Sequence, residues 1–331
     1  MIRPRAARDR GAVLVTVLVL IAVMSVVAAA ILDDVRFGIR RAVNLRLQDQ
    51  ARWYVLGTEA LARGAIRLSW EQRPNISTLQ SPWARGPQRY PVDGGFLEGV
   101  LSDGGNCFNL NSLVQGVAAT GTLSVREAAL DEYRGLLTAV GVPNNEVISL
   151  SNAAADWIDS DRVPRTGGAE DFFYERRDPP GRPANTLMSE VSELRAVAGY
   201  GQDLYRTLRP FLCALPTTAA STLNINMLRP DQAVLLVALL DGRLTEDRAA
   251  DLIASRPASG YARPDDFWSR PVFDDMDLTE TTRARVDVQT WYYTLAARVL
   301  LQDTYATGSA LFRLYPAGRI ELVARRHEED E

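Results

Sequence analysis

Twenty-one consecutive residues, Ala12 to Leu32, carry no charge. At about 1.5 Å of rise per residue they make roughly 31 Å of helix, close to the thickness of a bilayer's hydrocarbon core, so the run is predicted to span a membrane. Arg3, Arg5, Arg8 and Arg10 precede it against the single acid Asp9. By the positive-inside rule the first residues stay in the cytoplasm and everything after Leu32 is exported. Beyond Leu32 the apolar and small positions continue in steps of three or four, through Val35, Ile39, Val43, Leu47, Ala51, Tyr54, Thr58, Leu61, Ala65 and Leu68. No proline occurs between Pro4 and Pro74. One helix from Ala12 to about Trp70 is therefore predicted, its first third in lipid and its remainder packed on a domain. Leu45, Leu56 and Ile66 fall off the stripe assigned to that domain and are predicted to contact another subunit.

The rest of the pattern alternates between two periods. Arg73 to Gly95 reads as a connecting loop, and Gly94-Gly95 turns into the strand pattern F-L-E-G-V-L-S-D, closed by Asp103-Gly104-Gly105. Helical spacing follows at Val125 to Val140, Ser151 to Ile158 and Leu187 to Phe211, the last opened by Ser189-Glu190-Val191-Ser192. A second helical unit from Leu223 has the layout of a helix-hairpin-helix or SAM-like module. After Val286 the period returns to two, with turns predicted at Thr307-Gly308 and Pro316-Ala317-Gly318. Those last strands need cover for an apolar face, and the amphipathic half of the first helix supplies it. The expected fold is α+β, with the helical middle as an insertion. Its divisions are 1–11 leader, 12–32 membrane helix, 33–105 helix and first strands, 106–220 and 221–285 helical units, 286–326 late strands and 327–331 charged tail.

Charge and chemistry narrow the function. All 37 basic residues are arginine, and the chain carries −4 overall. The leader has four arginines and one aspartate, a net +3, so the remainder carries −7 and is unsuited to general nucleic-acid binding. The hairpin of the second helical unit, Asp241-Gly242-Arg243-Leu244-Thr245-Glu246-Asp247, holds three acids and one base, so it would repel phosphate and reads as protein-packing. With no lysine and one histidine, His327 in the tail, histidine-based hydrolysis, a lysine nucleophile and a histidine metal cage are poorly supplied. No spacing singles out a catalytic pair of carboxylates, and no enzymatic activity is expected. Cys107 and Cys213 read as one disulfide closing a loop of about 105 residues, which a chain-entropy model values at roughly 4 to 5 kcal/mol; two buried thiols are the alternative. Asp156, Asp159, Asp161, Glu170 and Asp171 crowd a loop with Pro164, Gly167 and Gly168. Hard oxygens on a turning segment suit calcium, though not with EF-hand spacing. Arg162, Arg165, Arg176 and Arg177 are the alternative neutralisers.

Two processing sites compete. Ala28-Ala29-Ala30 would serve a secretory signal peptidase and release a soluble body. Arg10-Gly11, directly before the apolar run, resembles a type IV pilin-like leader cut between Gly11 and Ala12, which leaves the helix in place. With F-N-L-N-S-L, D-W-I-D-S-D, G-A-E-D-F-F-Y, the asparagine of P-A-N-T-L, S-E-L-R-A-V-A-G and L-N-I-N in this order, the whole chain resembles the minor pseudopilin K family of type II secretion. The resemblance implies a pilin-like αβ domain with a large inserted helical domain, a single-pass inner-membrane helix and a periplasmic body. It also implies processing by prepilin peptidase, and a place at the tip of a pseudopilus with the minor pseudopilins I and J and other subunits. It adds calcium as a cofactor, held by Asp159, Asp161, Glu170 and Asp171 with Asn185 as a neutral ligand. Most pilin-like subunits carry a glutamate five residues into the mature chain; that position here is Thr16, which suits a topmost subunit. Two other classes stay open. An exported, membrane-anchored DNA-binding or uptake protein would need a basic, glycine-rich hairpin, and an anchored carboxylate hydrolase would need a pocket of acids with shifted pKa values.

Overall fold

The computed structural model describes residues 9–117 and 121–326; His327 and the rest of the charged tail, like residues 1–8 of the leader, lie outside the described residues. Helix α1 (Asp9–Gln72) runs unbroken for 64 residues, as the absence of proline permits. Through the apolar run and on to Arg46 its residues are exposed, and the first buried position is Ala51. From there the helix lies on a five-stranded antiparallel sheet. The hairpin β1 (Gln88–Val92) and β2 (Gly95–Asp103) forms one side of it. The stretch predicted as connecting loop thus contributes an edge strand, with Pro91 where an unpaired N–H would otherwise face solvent.

The chain then leaves the sheet. Short pairs β3 (Phe108–Asn109), β4 (Val114–Val117) and β5 (Thr122–Val125) lead into α2 (Glu127–Ala139), α3 (Asn144–Ile158) and α4 (Asp171–Tyr174). The span 187–211 is not one helix. A 3-10 turn at Val191–Ala196 is separated from α5 (Gln202–Leu208) by Gly199, at φ +85°, and Gly201, because the glycines admit a sharp change of direction that a continuous helix cannot make. After β6 (Leu212–Cys213) and β7 (Leu223–Asn224) come α6 (Ala233–Leu239), α7 (Glu246–Ala254), α8 (Pro264–Trp268), α9 (Glu280–Arg283) and β8 (Val286–Asp287). One apolar core, from Phe108 to Val288, serves the whole insert.

The sheet resumes with β9 (Tyr292–Leu301), β10 (Thr304–Leu314) and β11 (Ile320–Arg326), in the order β1-β2-β9-β10-β11. The β9–β10 turn is at Gln302, φ +50°, not at Thr307-Gly308, which pairs within the strand. Gly308 has another role: a Cβ there would come within 2.7 Å of the Val55 side chain, so the glycine lets α1 settle close to the sheet. The insert enters after Asp103 and returns at Tyr292, and Asp103 is directly opposite Tyr293 in the ladder. Both crossings are stitched together. Asp103 accepts from the backbone of Gly105 and Asn106 and from the Thr290 hydroxyl. Asn106 and Asn224 exchange hydrogen bonds, and the Asn224 amide donates to Thr290 Oγ1 at 2.9 Å.

The second core joins Ala51, Val55, Ala62 and Ile66 of α1 to Leu295, Ala297, Val299, Ala310, Phe312 and Leu314. The predicted stripe is therefore rotated. Ile66, expected as an outward contact, is fully buried, and Leu56 is half-buried; Leu61 and Leu68, assigned to the sheet, face out, as does Leu45. The buried face interleaves the small residues Ala51, Thr58, Ala62 and Ser69 with Val55 and Ile66, so a stripe drawn through the large apolar residues alone misses it. Glu59 is buried on the same side and is held by Arg325 of β11 through two hydrogen bonds, 2.5 and 2.8 Å.

Candidate functional site

The acidic loop forms between the end of α3 and the start of α4. Asp156 is the last full-turn acid of α3 and is wholly buried. Its Oδ2 accepts from the backbone N–H groups of Arg165 (3.1 Å) and Ala169 (2.9 Å), which folds 165–169 back over the helix end. Gly168 is required in that turn, since a Cβ would lie 2.0 Å from the same oxygen. The fold-back sets Glu170 above Asp159, and one oxygen each of Asp159, Asp161 and Glu170 come within 4.8 Å of one another. Asp159 and Glu170 are buried and Asp161 is exposed.

These oxygens are poorly satisfied. Asp156 Oδ1, Asp159 Oδ1, both oxygens of Glu170 and Asn185 Oδ1 are buried and have no hydrogen-bond donor. Burial, reinforced by the neighbouring carboxylates, raises Glu170 to about 8 and Asp159 to about 7. Asp156 rises to about 6, burial again the main cause, offset by its two backbone donors and Arg165. Arg165 offsets part of the crowding at Asp156 and Asp159, but each nearby arginine makes its closest contact elsewhere. Arg165 pairs with Glu127, Arg176 stacks on Phe172, Arg177 donates to Ala196 O, and Arg162 stands 4.0 Å from Asp171.

Asp171 itself is outside the converging group: it begins α4, where the helix N-terminus favours an acid. Asn185 takes a left-handed backbone, φ +49°, and its N–H donates to Trp157 O, which aims it at the end of α3. Asp156, counted among the loop's acids but not among its ligands, takes its role from backbone contacts, which no spacing in the sequence announces. A divalent cation with oxygen ligands fits this donor set. Asp159, Asp161 and Glu170 would hold it, with Asp156 and Asn185 beside them, and it would supply the positive charge the buried oxygens lack.

The other predicted positions are elsewhere. Gly11 and Ala12 are in the first turns of α1, exposed. Thr16 donates its hydroxyl to the helix's own carbonyls at Val13 (2.8 Å) and Ala12, so it presents no charge along the helix. Cys107 and Cys213 are joined in a disulfide next to the β3–β6 pair.

Comparison with known proteins gives this arrangement a context. The family model for type II secretion system protein K matches residues 106–217 and again 223–289. The type II secretion system protein K of Pectobacterium carotovorum is 38% identical over 256 residues, covering 77% of this chain and 78% of its own. That of Aeromonas hydrophila is 33% identical and covers 93% and 94%. This chain belongs to the type II secretion system protein K family. Among solved structures, a chain of the GspK–GspI–GspJ complex from the enterotoxigenic Escherichia coli type II secretion system superposes with a TM-score of 0.76 at 30% identity, covering 88% of this chain and all of that one. The protein K asparagine motifs turn out to be structural. Asn109 and Asn111 bridge the 109–113 turn to Met188, Leu215, Thr217 and Ala219, and Asn226 exchanges two hydrogen bonds with the Tyr261 backbone.

Proposed function

We propose that this protein is a minor pseudopilin that caps a type II secretion pseudopilus, promotes its assembly and supports export across the outer membrane. One observation carries the reading: a single helix emerges from an apolar run of membrane-spanning length and continues as the packing partner of an antiparallel sheet. The position at the tip is supported by Thr16, which offers no carboxylate to a subunit above, and by an insert of 188 residues between β2 and β9 that would obstruct one. The helix is anchored in the inner membrane and the body is periplasmic. Within the insert, α6 to α8 make a compact SAM-like unit whose hairpin turns at Asp241 and Gly242, both left-handed, and serves packing. The ion held by the acidic loop is calcium, which fixes the loop on the insert's surface.

Prepilin peptidase is expected to cut between Gly11 and Ala12. N-terminal sequencing of protein from cells that contain the peptidase should begin at Ala12, and a soluble form starting near Ile31 would overturn the pilin reading.

Assembly with pseudopilins I and J uses the outward side of α1. Trp53, Leu61 and Leu68 are exposed there, and Leu45 extends the apolar surface toward the membrane. A soluble body starting near Val35 should co-elute with the periplasmic parts of I and J. Trp53→Asp with Leu61→Asp should weaken that complex at least about tenfold, as loss of central apolar anchors does. Undiminished assembly of the double variant would move the interface off this face.

A further inference from the structure

The arginines of the leader have a counterpart on the other side of the apolar run. Arg36, Arg40 and Arg41 follow Leu32 within nine residues, about 6 to 14 Å along the helix axis. All three are exposed. Arg36 has only a 3.7 Å pair with the similarly exposed Asp33, while Arg40, which donates to Arg36 O, and Arg41 have no carboxylate within ion-pair distance among the described residues. Side chains on an α-helix lean toward its N-terminus, which here means back toward the membrane. Headgroups extend roughly 5 to 7 Å beyond the hydrocarbon on each side, so guanidinium groups leaning back from positions 36, 40 and 41 reach the phosphate layer. Phe37 stands among them, exposed, and with Arg40, Arg41, Asn44, Leu45 and Gln48 it lines a hollow of about 490 Å³ on the helix.

We propose that Arg36, Arg40 and Arg41 bind phosphates of anionic phospholipids in the outer leaflet of the membrane that α1 spans. The inference rests on the membrane-spanning reading of Ala12 to Leu32. It gives the processed subunit a basic flank to its apolar span, because removal of residues 1–11 takes away all four arginines on the cytoplasmic side. From then on the depth of the helix is set from the exported side. Arg46, about 21 Å past Leu32, lies beyond the headgroups and takes no part.

The test uses the full chain with a single thiol added by Val35→Cys, reconstituted in phosphatidylcholine vesicles with or without about 30% phosphatidylglycerol. Labelling by a water-soluble maleimide should be at least about fivefold slower in the anionic vesicles, and raised salt should remove the difference. The added substitutions Arg36→Gln, Arg40→Gln and Arg41→Gln should abolish it. Equal rates in both vesicles, or a difference that survives the three substitutions, would overturn the anchor. Slow labelling in phosphatidylcholine alone on addition of inorganic phosphate would assign the arginines to a free anion and not to lipid. Loss of binding to I and J by the triple variant in lipid-free detergent would assign them to a partner's carboxylates. Protein that fails to float with the vesicles overturns the spanning reading itself; protein that floats yet labels alike overturns the anchor alone.

Discussion

Ile66→Asp is expected to unfold the sheet-bearing half of the protein, at a cost of about 4 kcal/mol or more, while Leu61→Asp leaves its stability within about 0.5 kcal/mol. The two positions are five residues apart on one helix and differ in what they touch. Ile66 is fully buried among Val299, Phe312 and their neighbours, where an aspartate would lose the packing and strand a charge without a partner. Leu61 is 46% exposed and loses little in water. Urea titration of the soluble body measures this directly, and the insert, with its own core, should keep a separate transition. Equal midpoints for the two variants would mean that α1 does not lie on the sheet by this face.

Removing calcium is expected to lower the melting temperature by several degrees at pH 8 and to have little effect at pH 5. A ligand at a hundredfold its dissociation constant stabilises the folded state by about 2.7 kcal/mol. Without the ion, Glu170, Asp159 and Asp156 bind protons up to about pH 8, 7 and 6 in the folded state, whereas the unfolded chain releases them near pH 4. In that window the folded state holds more protons, so chelated protein gains stability as pH falls from 8 toward 5. Protons would then do at low pH what calcium is expected to do at high pH. Asp159→Asn with Glu170→Gln should remove the calcium effect and raise the melting point of chelated protein at pH 8. A midpoint that ignores calcium and chelator at both pH values would leave the loop without an ion.

The long helix was legible because its periodic run holds no proline, and the late strands and the alternation of sheet and helical insert because the hydrophobic period changes between three to four and two. Which face of α1 meets the sheet was not. That choice depends on how near the sheet approaches, and Gly308, in a strand more than 240 residues away, decides it by leaving room for Val55. The acidic cluster was visible as composition, yet its geometry depends on Asp156 and Gly168 folding 165–169 back, a backbone event. Asp171 looked equivalent to Glu170 in the sequence and differs because one residue caps a helix and the next begins it. The helix predicted over 187–211 fails at Gly199, whose left-handed backbone turns the chain between the 3-10 turn and α5.

The paired stem at Asp103 and Tyr292 has a mechanical consequence. Force applied to the membrane end of α1 would be handed through Val55, Ala62 and Ile66 to β9 and β10, and through Glu59 to β11. The insert joins the sheet covalently at two adjacent strand ends, and it is also tied to β11 through Arg326 with Glu190 and to the loop after α1 through Gln80 with Ala258. Pulling on the helix would therefore also load these side ties, and they would part before the covalent stem at Asp103 and Tyr292 is reached.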